Sequence, residues 1–143
     1  RASPESEDGR MRKETLKIIA EAMATMGIHY EFMEWTVKPS YPYFTGEYQE
    51  FEPSGEHGEQ ETSFILTGFA RDTGKGKTAY LSLEDAKEKI AAYFPMVGGR
   101  VVTTESGSVV AIFYANSFDV PTGDAELKKM QINLMIKEWS VMK

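Results

Sequence analysis

From Arg12 to Met26 the apolar residues return at helical spacing, and in most later segments they return at every second position. Leu16, Ile19, Met23 and Met26 form one stripe of a 3.6-residue period, which predicts an amphipathic helix laid on a core. Ala20, Ala22 and Ala24 favour it by propensity. Gly27 stands where a helix C-terminus takes a residue tolerant of positive φ. Lys13, Glu14, Lys17 and Glu21 fall mostly off the stripe.

Period two then takes over. In IHYEFMEWTV, Ile28, Tyr30 and Phe32 share one side, and Met33, Trp35 and Val37 share the other. That predicts a strand apolar on both faces, one of which would meet a second element or another subunit. KPSYP ends it, since proline cannot donate to a ladder. Phe44 to Phe51 alternates again, and ETSFILTGFA is strongly strand-like. Together they predict a long β-hairpin with a glycine-containing tip around Pro53, Ser54, Gly55 and Gly58.

DTGKGKT is a loop by composition. A second helix is predicted from Ser82 to Phe94, with Asp85 as a capping-box-like acid and Leu83, Ala86, Ile90 and Tyr93 on one face. Pro95, Gly98 and Gly99 end it. Val101–Thr104 and Ser108–Ala115 read as strands joined by Glu105, Ser106 and Gly107, and PTGD as a turn. Met130, Ile132, Leu134 and Ile136 alternate with Gln131, Asn133, Met135 and Lys137, as in a long half-buried strand. The order α-β-β-β-α-β-β-β predicts an α+β fold: an antiparallel-rich sheet with two helices packed on one face.

The chain has 143 residues, which suits one domain with a real core. Residues 1–10, RASPESEDGR, are polar and read as a disordered arm or a remnant of expression or processing. Residues 11–143 read as a single domain. There are no cysteines, so disulfide frameworks and thiolate metal sites are excluded. No apolar run approaches the ~20 residues that span a bilayer, and no signal peptide is visible. Net charge is −6, from 16 basic and 22 acidic residues, against a dominant phosphate-backbone contact.

The acids concentrate. EYQEFEPSGEHGEQETSF holds Glu47, Glu50, Glu52, Glu56, Glu59 and Glu61 with His57, and no Lys or Arg stands between Lys38 and Arg71. A transition-metal site on His57 would need more nitrogen or sulfur partners, and the EF-hand spacing is absent. Carboxylate catalysis needs two acids across a cleft, whereas these share one hairpin. A P-loop would need glycine at Arg71, and a dinucleotide fingerprint would need it at Ala79; the segment AYLSL also does not read as a helix start. Nucleophilic triads lack a local signature. Tyr41, Tyr43, Phe44 and Tyr48 could stack on bases, but their acidic neighbours favour core or interface packing. A solvated acidic hairpin is the reading preferred for residues 47–61.

The stretches YPYFTGEYQEFEPSGEHGEQETSFILTGFAR, LEDAKEKI and SVVAIFYANSFDVPTGDAELKKMQINLMIKEW resemble the small tail-terminator, or tail-completion, proteins of long-tailed bacteriophages and prophages. The resemblance spans Met11 to Lys143 and rests on pattern and element order; the family has no active site to carry over. It implies an α+β subunit of a ring, usually hexameric, on the head-proximal end of the tail tube. There the ring stops tube polymerisation and presents the head–tail joining surface. The implied partners are its own copies, the major tail tube protein and the head–tail connector or stopper protein. DNA passes through without specific binding, and no membrane, cofactor, metal or enzymatic activity is implied. The implied location is the virion, after assembly in the bacterial cytoplasm. Met33, Trp35, Val37, Tyr41, Tyr43 and Phe44 are the candidate subunit interface. The Glu47–Glu61 hairpin is the candidate surface facing the lumen or the tail tube. Two alternatives stay open: another neck component of similar fold, and a monomeric metal-dependent binding module or small enzyme using the acidic hairpin.

Overall fold

A computed structural model describes residues 13–33, 40–48, 59–72 and 78–139, the side chains of Glu59 and Gln60 excepted. They form α1 (Lys13–Thr25), β1 (Tyr30–Phe32), β2 (Tyr43–Tyr48), β3 (Glu59–Arg71), α2 (Thr78–Tyr93), β4 (Arg100–Thr103), β5 (Val109–Val120) and β6 (Leu127–Trp139). The class is α+β. The strands make one six-stranded sheet in the order β1-β2-β3-β6-β5-β4. It is a mixed sheet: β1 runs parallel to β2, and the other neighbouring pairs are antiparallel. The succession of hairpins read from the sequence is therefore corrected at two places. β1 does not turn back onto β2, and β3 lies beside β6 rather than β4.

Alternation on the two central strands positions everything else. β3 and β6 pair from Glu59↔Trp139 to Arg71↔Leu127. Thr62, Phe64, Leu66 and Ala70 of β3 and Met130, Ile132, Leu134 and Ile136 of β6 are buried in one phase. Ile19, Ala22 and Met23 of α1 and Ala79, Leu83, Ala86 and Ile90 of α2 join them in a single core cluster. Each large side chain so buried contributes about 1.5–3 kcal/mol relative to exposure.

β2 and β3 form the expected antiparallel hairpin, with Tyr43↔Phe69 and Tyr48↔Phe64. Two glycines let its aromatics lie flat. A Cβ on Gly46 would come within 2.7 Å of Phe64 ring carbons and 2.6 Å of the Tyr30 hydroxyl, and one on Gly68 would overlap the ring of Phe44. Phe44 and Gly68 are direct cross-strand partners, so the ring covers the backbone opposite it. Phe44 is fully buried. It is a core residue, which removes it from the candidate subunit interface.

Three other boundaries differ from expectation. The strand over residues 28–37 is described only at Tyr30–Phe32; Met33 follows at φ 73, a left-handed conformation that takes the chain off the strand line. Ile28 and Tyr30 pack against the core, and Trp35 and Val37 lie outside the described residues. The second helix starts at Thr78 rather than Ser82, because Asp72 Oδ1 accepts the Ala79 N–H at 2.8 Å, satisfying a donor of the first turn. The Ser82 hydroxyl instead donates to the Ala79 carbonyl at 2.9 Å. AYLSL is therefore helical, and the objection to a phosphate loop rests on Arg71 alone. Finally, β5 continues past Ala115 to Val120 through a register shift between Tyr114 and Asn116, as a β-bulge allows.

Gly68→Ala should destabilise the domain by about 1–3 kcal/mol, since the added methyl must displace a buried aromatic ring. Denaturant unfolding checks this: the midpoint should fall with an unchanged slope, and an unaltered midpoint would refute the Phe44–Gly68 packing.

Candidate functional site

The phase of β3 and β6 that faces away from the helices carries Ile65, Thr67, Phe69 and Arg71 opposite Asn133, Gln131, Lys129 and Leu127. Among the described residues no helix covers this face. Its polar centre is an amide chain: Gln131 Nε2 donates to Asn133 Oδ1 at 3.0 Å, and Asn133 Nδ2 donates across to Asn116 Oδ1 at 2.7 Å. Toward β4, Lys137 Nζ lies 5.8 Å from the Phe113 ring centroid and 4.0 Å from Glu61 Oε2.

At one corner the face becomes aromatic and cationic. Tyr41 and Tyr43 meet at 5.5 Å between centroids, and Tyr43 stacks on Phe69 at 5.1 Å. Lys129 Nζ lies 5.6 Å from the Phe69 centroid, and the Arg71 guanidinium 5.9 Å from that of Tyr41. Register explains the grouping, because Tyr43, Phe69, Lys129 and Val120 occupy one row across four strands. Arg71 also pairs with Asp124 at 3.2 Å and Glu126 at 3.9 Å. The Glu126 backbone N–H, followed by the Arg71 side chain, holds the Asp124 carboxyl below its ordinary range. Tight capping of the β5–β6 turn thus fixes the rim of this corner.

The remaining candidates are dispersed. Met33 is exposed beside β1, and Tyr41 is exposed at the corner with Tyr43 half-buried next to it. Glu47 is exposed near the end of β2, and Glu61 is exposed on β3. Glu50, Glu52, Glu56 and His57 lie outside the described residues, as does the side chain of Glu59. The structure therefore brings Tyr41 and Tyr43 together and separates them from Met33. Among the described residues no group of three or more His, Asp or Glu side chains is placed to hold a metal ion, and no helix is long and apolar enough to cross a membrane.

Two groups on the covered face escaped the sequence reading. Glu138 is 2 % exposed, and Thr15 donates its hydroxyl hydrogen bond to Glu138 Oε2. Both lie in phase with core positions, Glu138 two residues after Ile136 and Thr15 four before Ile19. The periodicity carried the signal, but their polarity placed them outside an apolar stripe.

Compared with models of known protein families and with curated protein sequences, the chain matches none.

Thr15→Val should lower stability by about 1.5–3 kcal/mol, because it removes a donor from a buried acid. Replacing both partners, as in Thr15→Val with Glu138→Met, should recover much of that loss. A double-mutant cycle measures the coupling, and additive losses would show that the two side chains act independently.

Proposed function

We propose that the chain is a structural subunit of virion assembly: it forms a ring on the head-proximal end of a phage tail tube, ends tube growth and offers the head–tail joining surface. The tail-terminator resemblance of the sequence motivates the reading. One structural observation supports it: the two borders of the sheet expose different apolar groups on opposite sides of the domain. Beside β1 stand Phe32 and Met33, at 38 % and 61 % exposure; beside β4 stand Met96, Val97 and Val101, at 60 %, 89 % and 62 %. Five inter-strand spacings separate these borders, about 24 Å.

An adaptor between two bodies needs two unlike docking surfaces on each subunit, and clustered exposed apolar side chains are what a protein surface uses for docking. Such a subunit also needs a contact to its own copies that joins one patch to a different one, since heterologous contacts close into rings. The aromatic corner and the acidic hairpin are two unlike surfaces of this kind. The acidic hairpin also suits a passage through which DNA moves without being held, as negative side chains repel phosphate. In this role the chain carries out no reaction and uses no cofactor.

Adding the purified chain to growing tail tubes tests the reading by negative-stain imaging. Tubes should acquire a ring at one end and stop lengthening. The double variant Val97→Asp with Val101→Asp should fold, with stability within about 0.5 kcal/mol of wild type because both sites are exposed, and should fail to join one of the two partners. Tubes that lengthen unchanged and carry no ring would contradict the proposal.

A further inference from the structure

We infer that the free edge of β4 takes an extended segment of a partner protein as an added strand. The segment alternates apolar residues with Lys or Arg, and a basic side chain lies in the groove between β4 and α1. The inference rests on the proposed role only in taking the β4 border as a docking surface, and it names the chemistry of what docks there.

The backbone of β4 is open to such an addition. The Thr104 N–H donates to the Ser108 carbonyl at 2.8 Å, which makes that pair a hydrogen-bonded one of the antiparallel β4–β5 ladder. Bonded pairs alternate with non-bonded pairs. Val101 and Thr103, opposite Ala111 and Val109, therefore turn their N–H and C=O groups away from β5, toward the sheet margin. Among the described residues these groups have no hydrogen-bond partner. An edge left this way pairs with another chain unless a charge, a proline or a bulge blocks it. β4 has neither proline nor bulge, and its one charge, Arg100, is held over the Tyr93 ring at 3.9 Å. The opposite border offers less, since β1 has three residues and Met33 leaves it at φ 73.

Side chains on the two faces of β4 set what the incoming strand must carry. Val101, 62 % exposed, stands on the open face, where an apolar cross-strand neighbour covers it. Val102 stands in phase with the buried Val110, on the helix side. There Val102 and Glu105 face Glu14, Lys17, Ile18 and Glu21 of α1 across a groove of about 240 Å³. No β5 residue lines the groove, so it opens at the sheet margin. Glu14 is held by Ser106, whose N–H and hydroxyl donate to it at 3.1 and 2.8 Å. Glu21 and Glu105 are exposed, and among the described residues neither makes an ion pair. Three carboxylates against one ammonium leave the groove negative, with Ile18 and Val102 as its apolar walls. A Lys or Arg side chain in phase with Val102 lays its methylenes on those walls and its cation among the carboxylates. Strand addition takes affinity from the main chain and specificity from such side-chain sites. A second copy fits worse: its own β4 would bring another α1 and three more glutamates over the same seam, where like charges repel.

Titration of the isotope-labelled full-length chain with the capped peptides TVKVKVT and TVEVEVT, followed by amide NMR, tests this. The lysine peptide should shift the Val101 and Thr103 amides and bind at least about tenfold more tightly than the glutamate peptide, a preference that raised salt weakens. Glu21→Lys with Glu105→Lys should reverse the preference with an unchanged melting curve. N-methylating one alternate set of peptide nitrogens should abolish binding and methylating the other should spare it, since only every second N–H faces β4. No shift at Val101 and Thr103, equal binding of both peptides, or binding that survives both methylations would overturn the inference. So would variants that change self-association and leave peptide binding as in wild type, because the occupant would then be a second copy. The ring is judged separately by tube growth, so either idea can fail alone.

Discussion

The pairing of β3 with β6 over their full length is the constraint on which the rest of the fold depends. Period-two alternation on those strands commits Phe64, Leu66, Ile132 and Leu134 to the helices, and Ile65, Phe69, Asn133 and Gln131 to the other side. A slip of one residue would exchange the two sets. The covered set is completed by α1 and α2, and the close approach of aromatic rings to Gly46 and Gly68 leaves little freedom in how β2 adds to the edge. The opposite face, with its amide chain and its aromatic corner, is a consequence of the same register. Core and open face are thus two readings of one alternation.

How far the sequence revealed this varies by element. α1 and β6 were legible because each carries a sustained period of one kind, helical in Leu16–Met26 and strand-like in Met130–Ile136. The β2–β3 hairpin was legible for the same reason. What failed were the places where one local contact overrides pattern. Asp72, seven residues upstream of Ala79, caps α2 and extends it back to Thr78, and nothing in AYLSL itself announces that partner. Met33 leaves the strand by a left-handed residue, which alternation cannot express. The parallel neighbour relation of β1 and β2 is a matter of chain path, invisible to periodicity.

Candidate surface residues divide along the same line. Phe44 and Tyr43 are adjacent aromatics with opposite fates, one under the helices and the other on the open face. Composition grouped them, and the strand period separates them. The corner around Tyr43, Phe69 and Lys129 was hidden because its members come from three strands and meet only through register. Glu138 shows the converse, a charged residue type held in the core by its phase on β6 and by the Thr15 hydroxyl. In physical terms, sequence period assigned faces reliably, whereas cross-strand neighbours and capping partners required the fold.

Among the described residues, the two sheet borders expose different apolar groups, Phe32 and Met33 beside β1 and Met96, Val97 and Val101 beside β4. The proposed role requires a heterologous contact between copies, which makes a ring where its rotation closes and an open filament where it does not. The solution mass of the wild-type chain across a wide concentration range tests this most directly. The account predicts a discrete closed oligomer of more than two copies that stops growing as concentration rises. A strict monomer, or a dimer that persists at every concentration, would contradict it.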